Sequence, residues 1–88
     1  RNLLVIYHYT LYVKDAKWTF VNLDDNSQRT ISLAEGFDQD ASFTQHNGDY
    51  YFLFKNKLVK YNYDNDKKTE YDLKQYGIEN ASVLVFEK

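Results

Sequence analysis

The 88-residue chain has no cysteine, no proline and no methionine, and only three glycines and one tryptophan. Without cysteine, neither a disulfide nor a thiolate metal site can staple the fold, and cysteine usage gives no hint of redox compartment. A chain of this size buries only about 60–65% of its unfolded surface, so its stability is expected to be slim without a partner. The lack of proline removes one of the usual guards of an exposed strand edge. Charge of one sign is also missing: 11 basic and 13 acidic residues leave a net charge of −2. No basic stripe exists to neutralise phosphates, which argues against nucleic acid as a partner. The longest apolar-leaning run, Leu3 to Val13, is interrupted by His8 and is too short to span a bilayer as a helix. The first residue is Arg1 rather than Met, which suggests a processed or excised piece.

What the chain does have is aromatic side chains, 18% of its residues, with nine Tyr and six Phe. Tyr, Phe, Val, Ile and Thr suit a pleated, half-buried surface, so the composition favours strands. Alternation is cleanest in Leu58-Val59-Lys60-Tyr61-Asn62-Tyr63, where Val59, Tyr61 and Tyr63 share one face and Lys60 and Asn62 the other. Polar turn clusters separate such runs. Asp64-Asn65-Asp66 and His46-Asn47-Gly48-Asp49 carry side chains that fold back on the backbone or tolerate a left-handed conformation. The spacing predicts four strands over about 41–46, 50–55, 57–63 and 69–73. Leu33 to Phe37 and Leu73 to Gly77 each suit a brief helical turn ended near a Gly.

The same order recurs forty residues earlier, over about 2–7, 9–14, 17–23 and 29–33. At this offset Lys17, Asn22, Asp24, Leu33, Ala41 and Ser42 meet identical residues at 57, 62, 64, 73, 81 and 82. Periods of roughly 20–50 residues mark stacked or radially repeated units. The expected organisation is a single all-β domain or fragment over 1–88: a repeat unit 1–40, a second unit 41–80, and the opening strand of a third over 81–88. The fold class expected is two four-stranded antiparallel, propeller-blade-like repeats of about 40 residues. Equivalence predicts that Trp18 and Leu58, and likewise Leu33 and Leu73, occupy matching buried positions.

Asp40-Ala41-Ser42-Phe43, followed by Asn47-Gly48-Asp49-Tyr50-Tyr51-Phe52-Leu53-Phe54-Lys55-Asn56-Lys57-Leu58-Val59-Lys60-Tyr61-Asn62, resembles a hemopexin-type β-propeller blade. That blade opens on an Asp-Ala pair, turns through Gly and runs an aromatic strand into a basic turn. Asn80-Ala81-Ser82-Val83 resembles the next opening, whereas the first unit has His8 where the Gly is expected. Two forty-residue motifs in 88 residues also resemble a βγ-crystallin domain, a double Greek-key β-sandwich, which is the alternative fold. That family's hairpin Gly is absent, and its calcium motif survives only in part in Asp38-Gln39-Asp40-Ala41-Ser42.

Catalytic parts are missing. There is no Cys, no Gly-x-Ser-x-Gly elbow, no Gly-rich phosphate loop and no His-Glu-x-x-His pair, so an enzyme is not expected. His8 and His46 fall at corresponding bends and read as polar turn residues. No cofactor is expected, with calcium the one ion to consider. The hemopexin resemblance implies opening-strand carbonyls around a channel, here at Asp40 and Asn80, and Asp38 adds a neighbouring carboxylate; the plain reading is that these residues cap and start strands. Tyr9, Tyr50 and Tyr76 fall on turn or polar-facing positions and are the candidate binding residues. Asn80-Ala81-Ser82 matches a glycosylation sequon, but cannot carry a glycan if it opens a buried strand.

The leading function is therefore a noncatalytic interaction module that binds a protein or polysaccharide through a β-blade face or edge. The alternative is a structural subunit that self-assembles through open strand edges into a ring or filament. Apolar edges at Leu3–Ile6 and Val83–Phe86 predict a homo-oligomer or membership of a larger assembly, with no membrane span. The compartment is left open, with an extracellular setting preferred.

Overall fold

Seven short strands account for more than half of the described residues, and the turn chemistry between them explains where each one stops. The computed structural model describes residues 2–8, 16–38, 40–81 and 85–86. The chain divides into two compact units, Arg1–Gln39 and Asp40–Lys88.

The first unit holds β1 (Leu3–His8), β2 (Ala16–Asn22) and β3 (Gln28–Leu33) in one antiparallel sheet of order β1-β2-β3. Its β2–β3 turn is built from side chains that replace ladder partners. Asn22 Oδ1 accepts from the Asp24 N–H at 2.9 Å, and Asp25 Oδ1 accepts from the Ser27 N–H at 2.9 Å. Asn26 takes a left-handed φ of 61°, which an Asn tolerates better than most residues. Hydrogen bonds from the Ser27 side chain, then its backbone, hold the exposed Asp25 carboxyl below its ordinary pKa of 3.8. With the folded value depressed, this small contribution is present above the ordinary carboxylate pKa and is lost as pH falls through the folded one.

One face of this sheet is the unit's core. Cross-strand rows Val5–Phe20–Arg29 and Tyr7–Trp18–Ile31 follow from the register, and Trp18, Phe20, Ile31, Leu33 and Phe37 are buried. Gly36, at φ 100°, reverses the chain after β3. That reversal brings the Phe37 carbonyl to the indole of Trp18, which donates to it at 2.7 Å. Trp18→Phe keeps most of the apolar volume but removes the indole donor from that buried carbonyl, so it is expected to cost about 1–3 kcal/mol. Urea denaturation of the two proteins measures the difference, and a cost near zero would remove the bond's structural role.

The second unit holds β4 (Ser42–His46), β5 (Asp49–Phe54), β6 (Lys57–Asn62) and β7 (Lys67–Asp72) in an antiparallel sheet of order β4-β5-β6-β7, followed by a 3-10 turn over Leu73–Tyr76. Asn47 and Gly48 have φ of 49° and 83°, the pair of left-handed residues that a two-residue hairpin matched to strand twist requires. The β6–β7 turn repeats the Asn-based device: Asn62 Oδ1 accepts from the Asn65 N–H at 3.0 Å and Asn65 Oδ1 from the Lys67 N–H at 3.1 Å. The Tyr61 hydroxyl donates to Asp66 Oδ1 at 2.8 Å, so the buried ring keeps its polar tip satisfied. Asp72 caps the 3-10 turn by accepting from the Lys74 N–H at 3.0 Å, and Gly77 ends it at φ 79°. Tyr50, Phe52, Val59 and Tyr61 line the core face.

Several expectations need correction. The chain is not a pair of four-stranded blades of a closed hemopexin-type propeller; its described residues form two antiparallel sheets, one of three strands and one of four. The deciding pairing is β1 with β2, in the register Leu3↔Asn22 to His8↔Lys17. A blade would put a strand over 9–14 between these two, and direct pairing leaves no place for it. The second strand expected over 9–14 lies outside the described residues. Two separate sheets are nearer to the two-motif alternative than to a propeller, although each sheet has the sequential strand order of a meander. The third opening strand, 81–88, is described only at Ala81, which bridges Lys55, and at residues 85 and 86.

The forty-residue offset survives in ladder register but not in burial. Trp18 pairs with Ile31 and Leu58 with Tyr71, which are matching positions. In β2 the buried large side chains are Trp18 and Phe20, whereas in β6 they are Val59 and Tyr61. The faces are exchanged, so Leu58 and Leu73 are only half-buried while Trp18 and Leu33 are buried. A period of two lets matching registers bury opposite faces.

Candidate functional site

Strand β1 is apolar along its length, Leu3-Leu4-Val5-Ile6-Tyr7, with no charge and no proline. Such a continuous run is the pattern of a strand covered on both faces. Leu3, Val5 and Tyr7 point with Phe20 and Trp18 to the buried side of the sheet. Leu4 and Ile6 point the other way and are 48% and 37% exposed. Among the described residues β1 hydrogen-bonds on one side only, to β2. No other described strand pairs with its second side, which is flanked by apolar side chains on both faces.

The other edges are guarded differently. β7 carries Lys67, Lys68, Glu70 and Asp72 within six residues, a charge density that opposes edge-to-edge pairing. β3 carries Arg29. β4 has no charged carboxylate or lysine, but is only five residues long and alternates polar residues with Phe43. The apolar edge of the first sheet is therefore the outlier.

The candidate residues named from sequence are scattered. Tyr9 lies outside the described residues. Tyr50 is 4% exposed, and its ring stacks on Phe43 with centroids 5.7 Å apart, so it packs the core face. Tyr76, at 69% exposed, stands at the end of the 3-10 turn. Asp38 belongs to the first unit and Asp40 and Asn80 to the second. Asp40 and Asn80 do come together, lining a shallow cavity of about 200 Å³ with Ser42, Leu53, Phe54, Lys55 and Ala81.

That cavity suits a calcium ion poorly. A hard cation takes six to eight oxygens, whereas this one pairs a single carboxylate with the ammonium-bearing Lys55. Nor do three or more His, Asp or Glu side chains converge elsewhere among the described residues. Millimolar calcium is therefore expected to leave the melting temperature unchanged, and a rise that magnesium does not reproduce would restore the ion. Asn80 itself is exposed, so burial of a central strand does not block its sequon.

Comparison with protein-family models, with curated proteins and with solved structures finds no match. No helix of the described residues is long and apolar enough to cross a membrane. The described residues form seven strands and a single 3-10 turn, an all-β fold.

Proposed function

We propose that the chain is a noncatalytic structural module that assembles through the open edge of β1, accepting the β1 strand of a second copy. The observation that carries this reading is an edge strand apolar from Leu3 to Tyr7, with Leu4 and Ile6 exposed, that pairs with no described strand other than β2. Antiparallel β1–β1 pairing is isologous, since the same residues serve both partners about a twofold axis. It extends each three-stranded sheet into a continuous six-stranded one and covers the backbone row. Each backbone bond so gained adds about 0.5–1.5 kcal/mol, and burial of the apolar side chains adds to it.

The test is sedimentation velocity across a concentration series, with amide hydrogen exchange on the same samples. The expected result is a mass that rises with concentration while the amides of Leu3–His8 gain protection. A monomer at every concentration, with β1 amides exchanging freely, would reject the reading. The second reading is binding of another molecule on a sheet face. It is favoured by one feature of the second sheet, a polar cleft on the face opposite Phe52 and Tyr61.

A further inference from the structure

The register of the second sheet places three cross-strand rows on the face opposite Phe52 and Tyr61, where Leu53 is buried and the rest are partly or fully exposed. Asp49, Asn62 and Lys67 form one row with His46, and Tyr51, Lys60 and Thr69 form the next with Thr44. Leu53, Leu58 and Tyr71 form the third with Ser42. The face therefore grades from polar to apolar over three rows. Between the first two lies a cleft of about 260 Å³ lined by Asp49, Lys60, Asn62, Asn65, Lys67 and Thr69.

Its polar groups are held in place before any ligand arrives. Asp49 Oδ1 accepts from Asn62 Nδ2 at 3.0 Å, and Asp49 Oδ2 lies 3.7 Å from the Lys60 ammonium. Asn62 and Asn65 are fixed in turn by the backbone N–H groups of the β6–β7 turn. Lys60 is offset by Asp49, which leaves the exposed Lys67 as the cation with no carboxylate partner among the described residues. Beside the cleft stands an aromatic wall. The Phe86 ring stacks on His46, with centroids 4.0 Å apart and planes at 7°, and meets Tyr51 at 4.7 Å. His46 is the cross-strand neighbour of Asp49, and Tyr51 of Lys60.

From these positions we infer that the cleft binds an acidic saccharide through one carboxylate-bearing sugar unit. A sugar ring offers many hydroxyls and an apolar C–H face. The cleft answers the first with side-chain amides and a hydroxyl that donate and accept, a carboxylate that accepts and ammonium groups that donate, and the His46, Tyr51 and Phe86 rings beside it offer aromatic surface for the second. The uncompensated Lys67 selects for one negative charge. The volume falls just below the range of about 300–1,000 Å³ usual for pockets that take drug-sized ligands, as suits a single ring. An extended acidic peptide fits less well, because β5 and β6 are central strands and the adjoining edge strand β7 carries Glu70 and Asp72, whose charge opposes it.

This assignment rests on the face-binding reading and is independent of the β1 edge. It is tested by titrating the whole isotope-labelled chain, followed by NMR, with a galacturonate trimer, with the corresponding neutral galactose trimer and with a glutamate hexapeptide at equal ionic strength. The uronate is expected to shift the Asn62 and Asn65 side-chain amides and the Thr69 amide, and to bind at least about tenfold more tightly than the neutral sugar. Lys67→Gln lies on an exposed position and is expected to fold normally by spectral dispersion while weakening the uronate about tenfold. Equal response to both sugars, or shifts outside the cleft, would overturn the assignment. A response strongest to the peptide would overturn it too, yet leave face binding standing. No response to any of the three would remove both.

Discussion

Phe20→Ala is expected to remove a large part of the stability of the first unit. Phe20 sits at the centre of the middle strand, has no exposed surface, and faces Val5 on one side and Arg29 on the other in the ladder. Truncating a fully buried Phe costs the transfer energy of the lost atoms plus that of the cavity left behind, about 3–5 kcal/mol. A chain of 88 residues has roughly 4–13 kcal/mol in total at 0.05–0.15 kcal/mol per residue. The loss is thus roughly a quarter of the total or more, and no disulfide exists to limit it. Guanidinium unfolding read by the emission of Trp18, the single tryptophan, reports this unit directly. Phe43→Ala, in the second unit and followed by far-ultraviolet circular dichroism, is the control. At 37% exposed the Phe43 ring leaves a smaller void, so its cost is expected to be well under half. A loss below about 1 kcal/mol for Phe20→Ala would mean that this sheet face is not the unit's core.

Ile6→Lys has the second large effect, on assembly rather than on folding. Ile6 lies on the face of β1 opposite Val5 and Tyr7, so an ammonium there meets water in the single chain and leaves the core face intact. In a β1–β1 pair the same ammonium is brought beside its symmetry mate's strand. Lysine on an edge strand is a common natural guard against such pairing. Like charges near one twofold axis repel, and the apolar contact of Ile6 is lost at both ends of the interface. The dimer is expected to weaken at least tenfold, about 1.4 kcal/mol, with the circular dichroism spectrum unchanged. Tyr71→Lys, on the already charged strand β7, is expected to leave the mass unaltered. If Ile6→Lys associates as strongly as the parent chain, the contact lies elsewhere.

Local chemistry was legible in the residues alone. Asn47-Gly48 at a hairpin, the Asn22–Asn26 and Asn62–Asp66 clusters at turns, and Gly77 after a single helical turn each act within a few residues. Their φ values and side-chain bonds are those the residue types prefer. The alternation of Val59 and Tyr61 against Lys60 and Asn62 likewise marked a strand and its two faces, and with them half of the polar cleft. Its other half, Asp49, Lys67 and Thr69, joins only through the register of β5 and β7.

Strand partnership was decided by the tertiary structure. Whether β1 meets β2 directly or through an intervening strand depends on contacts between distant residues, and a short apolar run carries no record of its partner. The buried face of each sheet was decided there as well. In Trp18-Thr19-Phe20-Val21 both parities are substantially apolar, so a period of two leaves the choice open, and Trp18 went inward while its counterpart Leu58 stayed half-buried. Tyr50 went to the core for the same reason, and Lys55 joined Asp40 and Asn80 only because the chain after Gly77 returns to bridge Lys55 through Ala81. Composition and turn residues determined that this chain is made of short antiparallel strands, because those preferences are local. Which edges are left open and which side chains share a cleft followed from pairing, because pairing is not.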